Sequence, residues 1–376
     1  MTGKNIEWAK TKLAEITVQA VLHVGEGNQV DHDNIKIEKK EGGGSNDTEL
    51  TEGIILDKER VHNDMPKQVA NANVALIDSP IEVRSTEIDA KIQITDPNQL
   101  QAFLDQEERT LREFVQAIKA SGATVVCCSK GIDDLAQHFL AQEGIYTIRR
   151  VTQSDMLKLS KATGAKLISK ITEIKPTDLG KSGLVQAKKL GDEDMTYVTK
   201  CKNPKAVTII VRGGTEHVVA EVERAIKDAL GALTAAISNS KCVAGGGAVE
   251  VELAKELRKY ADSLSGREQL AVQAFAESLE MIPRTLAENA GLDPIDMLTA
   301  LKAKHDDGQK WVGLNVFNGQ TIDMWQSGVI EPLKIKTQAI QSATEAAILI
   351  LRIDDLISSG KPMQPSMPPQ GMQGMM

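Results

Sequence analysis

Aromatic side chains are scarce: five Phe, three Tyr and three Trp make up 3% of the 376 residues. Any core must therefore be built from Val, Ile, Leu and Ala. Only four cysteines occur, and Cys127 and Cys128 are adjacent. That excludes a disulfide framework and points to a reducing compartment. The longest unbroken apolar run is Ala346 to Leu351, far short of the roughly twenty residues of a membrane helix. No charged-then-apolar signal segment opens the chain. The expectation is a soluble, cytoplasmic protein with no membrane contact. Excess positive charge is also missing. Lys plus Arg is 44 against 52 Asp plus Glu, a net charge of -8, which argues against a nucleic-acid partner held by phosphate contacts. The length is too great for one core and suits two or three domains.

The pattern that is present alternates. Ile6, Ala9, Leu13, Ile16 and Ala20 recur at helical spacing, and Ile35 and Ile37 then alternate with polar residues as in a strand. Gly42-Gly43-Gly44 is a turn cluster, and Ile54 to Leu56 and Val74 to Ile77 read as buried strands. A helix is predicted from Asp96 to about Ala120, with Pro97 in its first turn and an apolar stripe from Leu100 to Ile118. Strands at 124–128 and 145–149 alternate with helices at 132–141 and 154–163, an α/β signature. The apolar strand Val207 to Val211 leads through Gly213-Gly214 into a helix striped by Val218, Val222, Ile226, Ala229 and Leu233. Beyond Gly245-Gly246-Gly247 the chain reads as mainly helical. Ser265 and Glu268 suggest a capping box, Pro283 an end or kink, and Asp293-Pro294 a new helix start. The last helix, about 335–357, is the most apolar, and the Pro/Gly/Met/Gln tail from Gly360 reads as disordered. The first and third pieces are too short to bury a core alone. They are expected to pair as one discontinuous domain with the α/β module inserted.

No complete catalytic motif emerges from the residues. Gly42 to Gly44 lacks the Lys-Ser/Thr ending of a P-loop and leads into no helix. Arg212-Gly213-Gly214 has the placement of a dinucleotide turn but lacks the third glycine. The six His show no zinc spacing. Asp228 reads as a solvated helix carboxylate, four residues from Arg224. The Leu100 to Ile118 stripe reads as core packing more readily than as a binding surface.

A specific combination of motifs changes this picture. Val243-Ala-Gly-Gly-Gly-Ala-Val-Glu250, Arg267-Glu-Gln-Leu270, Leu286-Ala-Glu-Asn-Ala-Gly-Leu-Asp-Pro294, Gly313-Leu-Asn315, Asp323-Met-Trp325 and Gly328-Val-Ile-Glu-Pro332 occur in order. So do Ser45-Asn-Asp-Thr48, Met65-Pro66 and Lys130-Gly-Ile-Asp133. Together they resemble a group II chaperonin subunit, of the archaeal thermosome and eukaryotic cytosolic chaperonin kind, over essentially the whole chain. The fold class implied is α/β plus mainly α. Residues 1–52 and 214–246 would be a discontinuous intermediate domain. Residues 53–213 would be an apical, substrate-binding domain with a helical lid at about 82–122. Residues 247–359 would be the C-terminal half of the equatorial ATPase domain, and 360–376 a disordered tail.

The resemblance implies ATP and Mg²⁺ as cofactors, and non-native client proteins and other chaperonin subunits as partners. Asp228 matches the aspartate that activates the attacking water. Gly246 matches a glycine that lets the nucleotide approach the backbone, Asn315 lies beside base and ribose, and Glu331 would bond the ribose hydroxyls. Leu100, Phe103 and Leu104 would lie on the lid as client or lid–lid contacts. No metal ligand is assigned, because the family's phosphate loop and Gly-Asp-Gly-Thr motif are not found in these residues. The expectation is a chain that lacks the first half of the equatorial domain, and that alone neither hydrolyses ATP nor forms a stable double ring. The competing readings are an ATP-independent holdase built on the apical module, and an unrelated α/β nucleotide-using enzyme.

Overall fold

The computed structural model describes residues 9–25, 27, 29–83, 97–191, 193–202 and 204–354, the side chains at 97–100 and 102–104 excepted. The chain opens with α1 (Lys10–Val24), β1 (Ile35–Glu41) and β2 (Glu49–Thr51). The next elements are β3 (Gly53–Leu56), β4 (Gln68–Ile77), α2 (Pro97–Ala120), β5 (Val125–Cys128), α3 (Asp134–Gln142) and β6 (Tyr146–Ile148). They continue with α4 (Gln153–Thr163), β7 (Leu167–Ile168), β8 (Gly180–Leu190) and β9 (Glu193–Thr199). β10 (Val207–Gly213) and α5 (Glu216–Asn239) follow. The last part holds β11 (Cys242–Ala244), α6 (Ala248–Ala261), α7 (Gly266–Asn289), α8 (Pro294–Asp306), β12 (Val312–Asn315), β13 (Gln320–Asp323), β14 (Ile330–Pro332) and α9 (Leu333–Leu351).

Two segments far apart in the sequence pair around an inserted stretch. β1 lies parallel to β10, with Ile35 opposite Val207 and Gly213 opposite Glu41, and β2 joins β10 on the other side. α1 and α5 cover this three-stranded sheet. Leu13, Ile16, Ala20, Val211, Val222 and Ile226 form one buried cluster. α5 starts where the Thr215 hydroxyl accepts the Val218 amide, and it stops at Ser240, whose φ of 53° ends the helical run. β10 falls within 53–213 by sequence but within the small sheet by pairing.

The inserted unit is a seven-stranded mixed sheet in the order β3-β9-β8-β4-β5-β6, with β7 also on β4. It carries a separate buried cluster on each side. One holds Leu76, Val125, Tyr146, Met156 and Leu159, the other Ile77, Leu111, Ile118, Val126 and Leu140. α2 contributes Leu111, Val115 and Ile118 to the second cluster. Its C-terminal half is therefore core packing. Leu100, Phe103 and Leu104, expected to lie on a lid, have side chains outside the described set, and residues 84–96 of that expected lid and the tail from residue 355 lie outside it altogether.

A narrow seam joins the two units. Its apolar part is Ile55, Met195 and Tyr197 against Ile210. The rest is polar. Thr208 Oγ1 donates to Gly53 O and accepts from Ile55 N. Lys36 donates to Ile55 O at 2.8 Å and pairs with Asp155 at 3.2 Å and Glu38 at 3.1 Å. Lys40, on the same face of β1, reaches Asp57 and Glu193.

The C-terminal part is not all helix. β12 and β13 form a hairpin and β11 pairs with β14. α6, α7 and α8 pack around Val251, Ala287, Leu298, Leu301 and Val312. Ser265 caps α7 without a side-chain bond, so the expected capping box does not form, and α7 does not end at Pro283 but continues past it to Asn289.

Candidate functional site

The Gly245–Gly247 turn is the hub. It leads from β11 into α6, with Gly246 at φ +65° and Gly247 at φ +80°, values that L side chains resist. The turn is pinned on two sides. Gly245 N donates to Val329 O at 2.9 Å, just before β14, and Leu314 N on β12 donates to Gly246 O at 2.8 Å. A Cβ on Gly246 would lie 3.0 Å from Met324 Sδ and 3.2 Å from Leu314 O. The missing side chain therefore admits the hairpin. Gly313 opposite is equally tight, since a Cβ there would meet Met324 Cγ at 2.7 Å and the Gly245 and Gly246 carbonyls at 2.8 Å.

This packing brings three of the expected residues together. Gly246 lies in the turn, and Asn315 is one residue past Leu314, at the end of β12. Glu331 lies on β14, opposite Val243 of β11. The Asn315 side-chain oxygen accepts from Phe317 N at 3.0 Å. Its amide nitrogen remains a donor for a ligand. The Glu331 carboxylate lies close over Gly245, where a Cβ would come within 2.9 Å of Oε1, and its Oε2 is 3.0 Å from Lys336 Nζ.

The turn rests on a buried ion pair that the sequence did not reveal. Glu250, at the start of α6, is 2% exposed, and its Oε1 accepts from Lys336 Nζ at 2.6 Å. Burial works against the Lys336 charge, but the bonds to Glu250 and Glu331 outweigh it and hold Lys336 above the ordinary lysine range. Glu280 on α7 is held the same way. Burial opposes its charge, yet Arg258 and Lys302 keep its carboxyl below the usual range. His305, fully buried, bonds Glu252 at 2.7 Å and Val312 O at 2.8 Å, tying α8 to α6 and β12.

Asp228 sits elsewhere in sequence but not on a remote element. It is exposed on α5, the helix that packs against β14 and α9. Arg224 donates to Glu221 Oε2 at 2.8 Å, three residues back on the same helix. For a nucleoside, the turn offers a half-buried carboxylate acceptor, Glu331, and an amide donor, Asn315, and these fit. For Mg²⁺ it does not fit. Among the described residues the one group spaced to hold a metal ion is Asp31, His32 and Asp33, all exposed, and it shares no residue with the turn.

The profile of the TCP-1/cpn60 chaperonin family matches residues 1–361. The chain belongs to the TCP-1/cpn60 chaperonin family. A thermosome subunit of Methanopyrus kandleri is 58% identical over 363 residues, 96% of this chain and 67% of that protein. Thermosome subunit beta of Methanothermobacter thermautotrophicus is 57% identical over all of this chain and 70% of its own length. Among solved structures, the open-state monomer of a group II chaperonin from Methanococcoides burtonii matches with a TM-score of 0.70 at 46% identity. That match covers 94% of this chain and 83% of that one. The fold is thus that of a group II chaperonin subunit, as the motifs implied. No helix among the described residues is long and apolar enough to cross a membrane.

Proposed function

We propose that this chain is a subunit of a ring-forming chaperonin that assists non-native proteins and is driven by ATP. In this reading 1–52 with 214–246 is the intermediate domain, 53–213 the apical client-binding domain, and 247–359 the nucleotide-binding part. Its partners are client polypeptides and further subunits, and its place is the cytoplasm. The observation that carries it is the convergence of Gly246, Asn315 and Glu331 on one turn. There Glu331 accepts from the ribose and Asn315 flanks the nucleoside. Asp228, on the helix that packs against the Glu331 strand, takes the proton from the water that attacks the terminal phosphate. Among the described residues no group spaced to hold a metal ion adjoins the Gly245–Gly247 turn, and in this reading the chain by itself binds the nucleoside end and does not turn ATP over. Purified chain is tested for nucleotide binding, and for phosphate release with Mg²⁺-ATP. Binding without release is expected. Steady Mg²⁺-dependent release that survives Asp228→Ala removes both the inactivity and the role of Asp228.

A second reading has its own support. The seven-stranded unit carries two cores of its own, one on each side of the sheet, so client holding can proceed there without nucleotide. Suppression of aggregation of a chemically denatured client, compared with and without ATP, separates the two. Equal protection in both conditions favours the holdase.

A further inference from the structure

Lys336 sits in the first turn of α9 and directs its ammonium sideways between two carboxylates, Glu250 Oε1 at 2.6 Å and Glu331 Oε2 at 3.0 Å. The two acids differ in their freedom. Glu250 is fixed by burial at the N-terminal end of α6, and its Oε2 has no hydrogen-bond partner among the described residues. It therefore depends on Lys336 for its neutralisation. Glu331 is the open member, with 37% of its side chain accessible. One ammonium between two carboxylates leaves one negative charge over, and it falls on Glu331. With Oε2 tied to Lys336 and Oε1 lying over Gly245, the carboxylate has a fixed plane beside the turn.

We infer that Lys336, anchored by the buried Glu250, is a positioning residue that holds Glu331 ready to accept from the vicinal hydroxyls of a ribonucleoside at the Gly245–Gly247 turn. This rests on the nucleotide reading above. Without Lys336 the Glu331 side chain samples several rotamers, and ordering it falls to the ligand. The consequence is specific to the sugar. In this reading Lys336 acts only through Glu331, so its loss weakens a nucleotide only to the extent that the nucleotide uses its hydroxyls.

The test compares equilibrium binding of ATP and 2′,3′-dideoxy-ATP to the full chain. Hydrogen bonds to a charged group predict a preference for ATP of roughly tenfold or more. Lys336→Met is expected to bring the ratio close to one, as Glu331→Gln does, and Lys336→Arg to keep most of it. Because Lys336→Met strands Glu250, the double variant Glu250→Gln/Lys336→Met is measured beside it, with thermal unfolding to confirm folding. A folded Lys336→Met or double variant that keeps the wild-type ratio overturns the inference. A wild-type chain that binds ATP without preferring it to the dideoxy analogue removes the Glu331 role. Failure of the wild-type chain to bind either nucleotide overturns the nucleotide reading itself.

Discussion

At the scale of single residues, the site is governed by side chains that are missing and by charges that are buried. Gly313 illustrates the first. The atoms nearest to an added Cβ are two backbone carbonyls of the turn and the Met324 side chain, so Gly313→Ala must push the hairpin off the turn. Overpacking of this kind costs about 1–3 kcal/mol. A lowered unfolding midpoint together with weaker nucleotide binding is expected, and an unchanged midpoint would show that the turn yields easily. Lys336 illustrates the second. Its folded-state affinity for the proton exceeds that of the unfolded chain. Its stabilisation is therefore fully present below about pH 10.5, the ordinary lysine value, and is lost as pH rises through the raised folded value. Chemical unfolding followed between pH 9 and 11.5 should show a steeper alkaline loss in the wild type than in Glu250→Gln/Lys336→Met. Equal slopes would assign that loss to other groups. The cysteines are a third case. Burial pushes Cys127 up to about 12 and Cys128 up to about 11. At pH 8 the thiolate fraction of each is roughly one in a thousand or less. Iodoacetamide on the native chain should leave both unmodified by mass spectrometry, and rapid labelling of either would mean that the strand opens.

At the scale of elements, the units are coherent within themselves and weakly joined. Four apolar side chains form the buried cluster at the seam, so the ion pairs of Lys36 and Lys40 carry much of the orientation of the inserted sheet. Lys36→Met leaves Asp155 and Glu38 facing each other across the space the ammonium held, both largely buried. Removing one partner of a buried pair costs about 3–5 kcal/mol, and here the loss concentrates at the seam. Faster amide exchange in β3 and around the start of α4 is expected, with the two cores of the seven-stranded sheet unaffected. Exchange unchanged at β3 would mean that the backbone bonds through Thr208 suffice. Elements with strong local signals were legible from the sequence. α4 has Thr152 before its apolar stripe and Gly164 after it, and both cap as their types suggest. The β8–β9 hairpin was not legible. Its polar stretch, Lys188-Lys189, faces solvent at the end of a two-stranded extension, and no apolar alternation marks it. β12–β13 did carry a signal, Asn318-Gly319, but it is a short hairpin between helices, where helical periodicity dominates a local reading. The site divides in the same way. Gly246, Asn315 and Glu331 stand out through motifs. Glu250 and Lys336 are 86 residues apart, and only the fold shows that they meet.

At the scale of the whole molecule, the distribution of exposed apolar surface is uneven. The last turns of α9 present Leu349, Ile350 and Leu351 to solvent, Leu351 at 84% exposure, and Ile353 follows. α7 adds Leu270, Phe275, Met281 and Ile282, and the tilted pair Trp311 and Trp325 is half exposed. The two units ahead of residue 240 show far less: Val18, Leu22, Leu135 and Leu157 are their large exposed apolar residues among those described. Exposed apolar side chains in this number drive association. The charge of -8 opposes it only through long-range repulsion, which salt screens. Light scattering of the purified chain should therefore give a mass that rises with concentration and with salt. Replacing Leu349 and Leu351 by Gln should lower that mass without shifting the melting temperature, because neither side chain is buried in the chain as it stands. A fragment spanning 53–206 lacks these surfaces, keeps both cores of the seven-stranded sheet and newly uncovers only the small seam patch of Ile55, Met195 and Tyr197, so it should associate less than the full chain under the same conditions. If fragment and full chain associate alike, the adhesive surface lies on the inserted unit. Client binding and self-association would then compete for one face. If only the full chain associates, the two activities are separable. The C-terminal part then supplies association, and the inserted unit stays available for the client holding proposed for it.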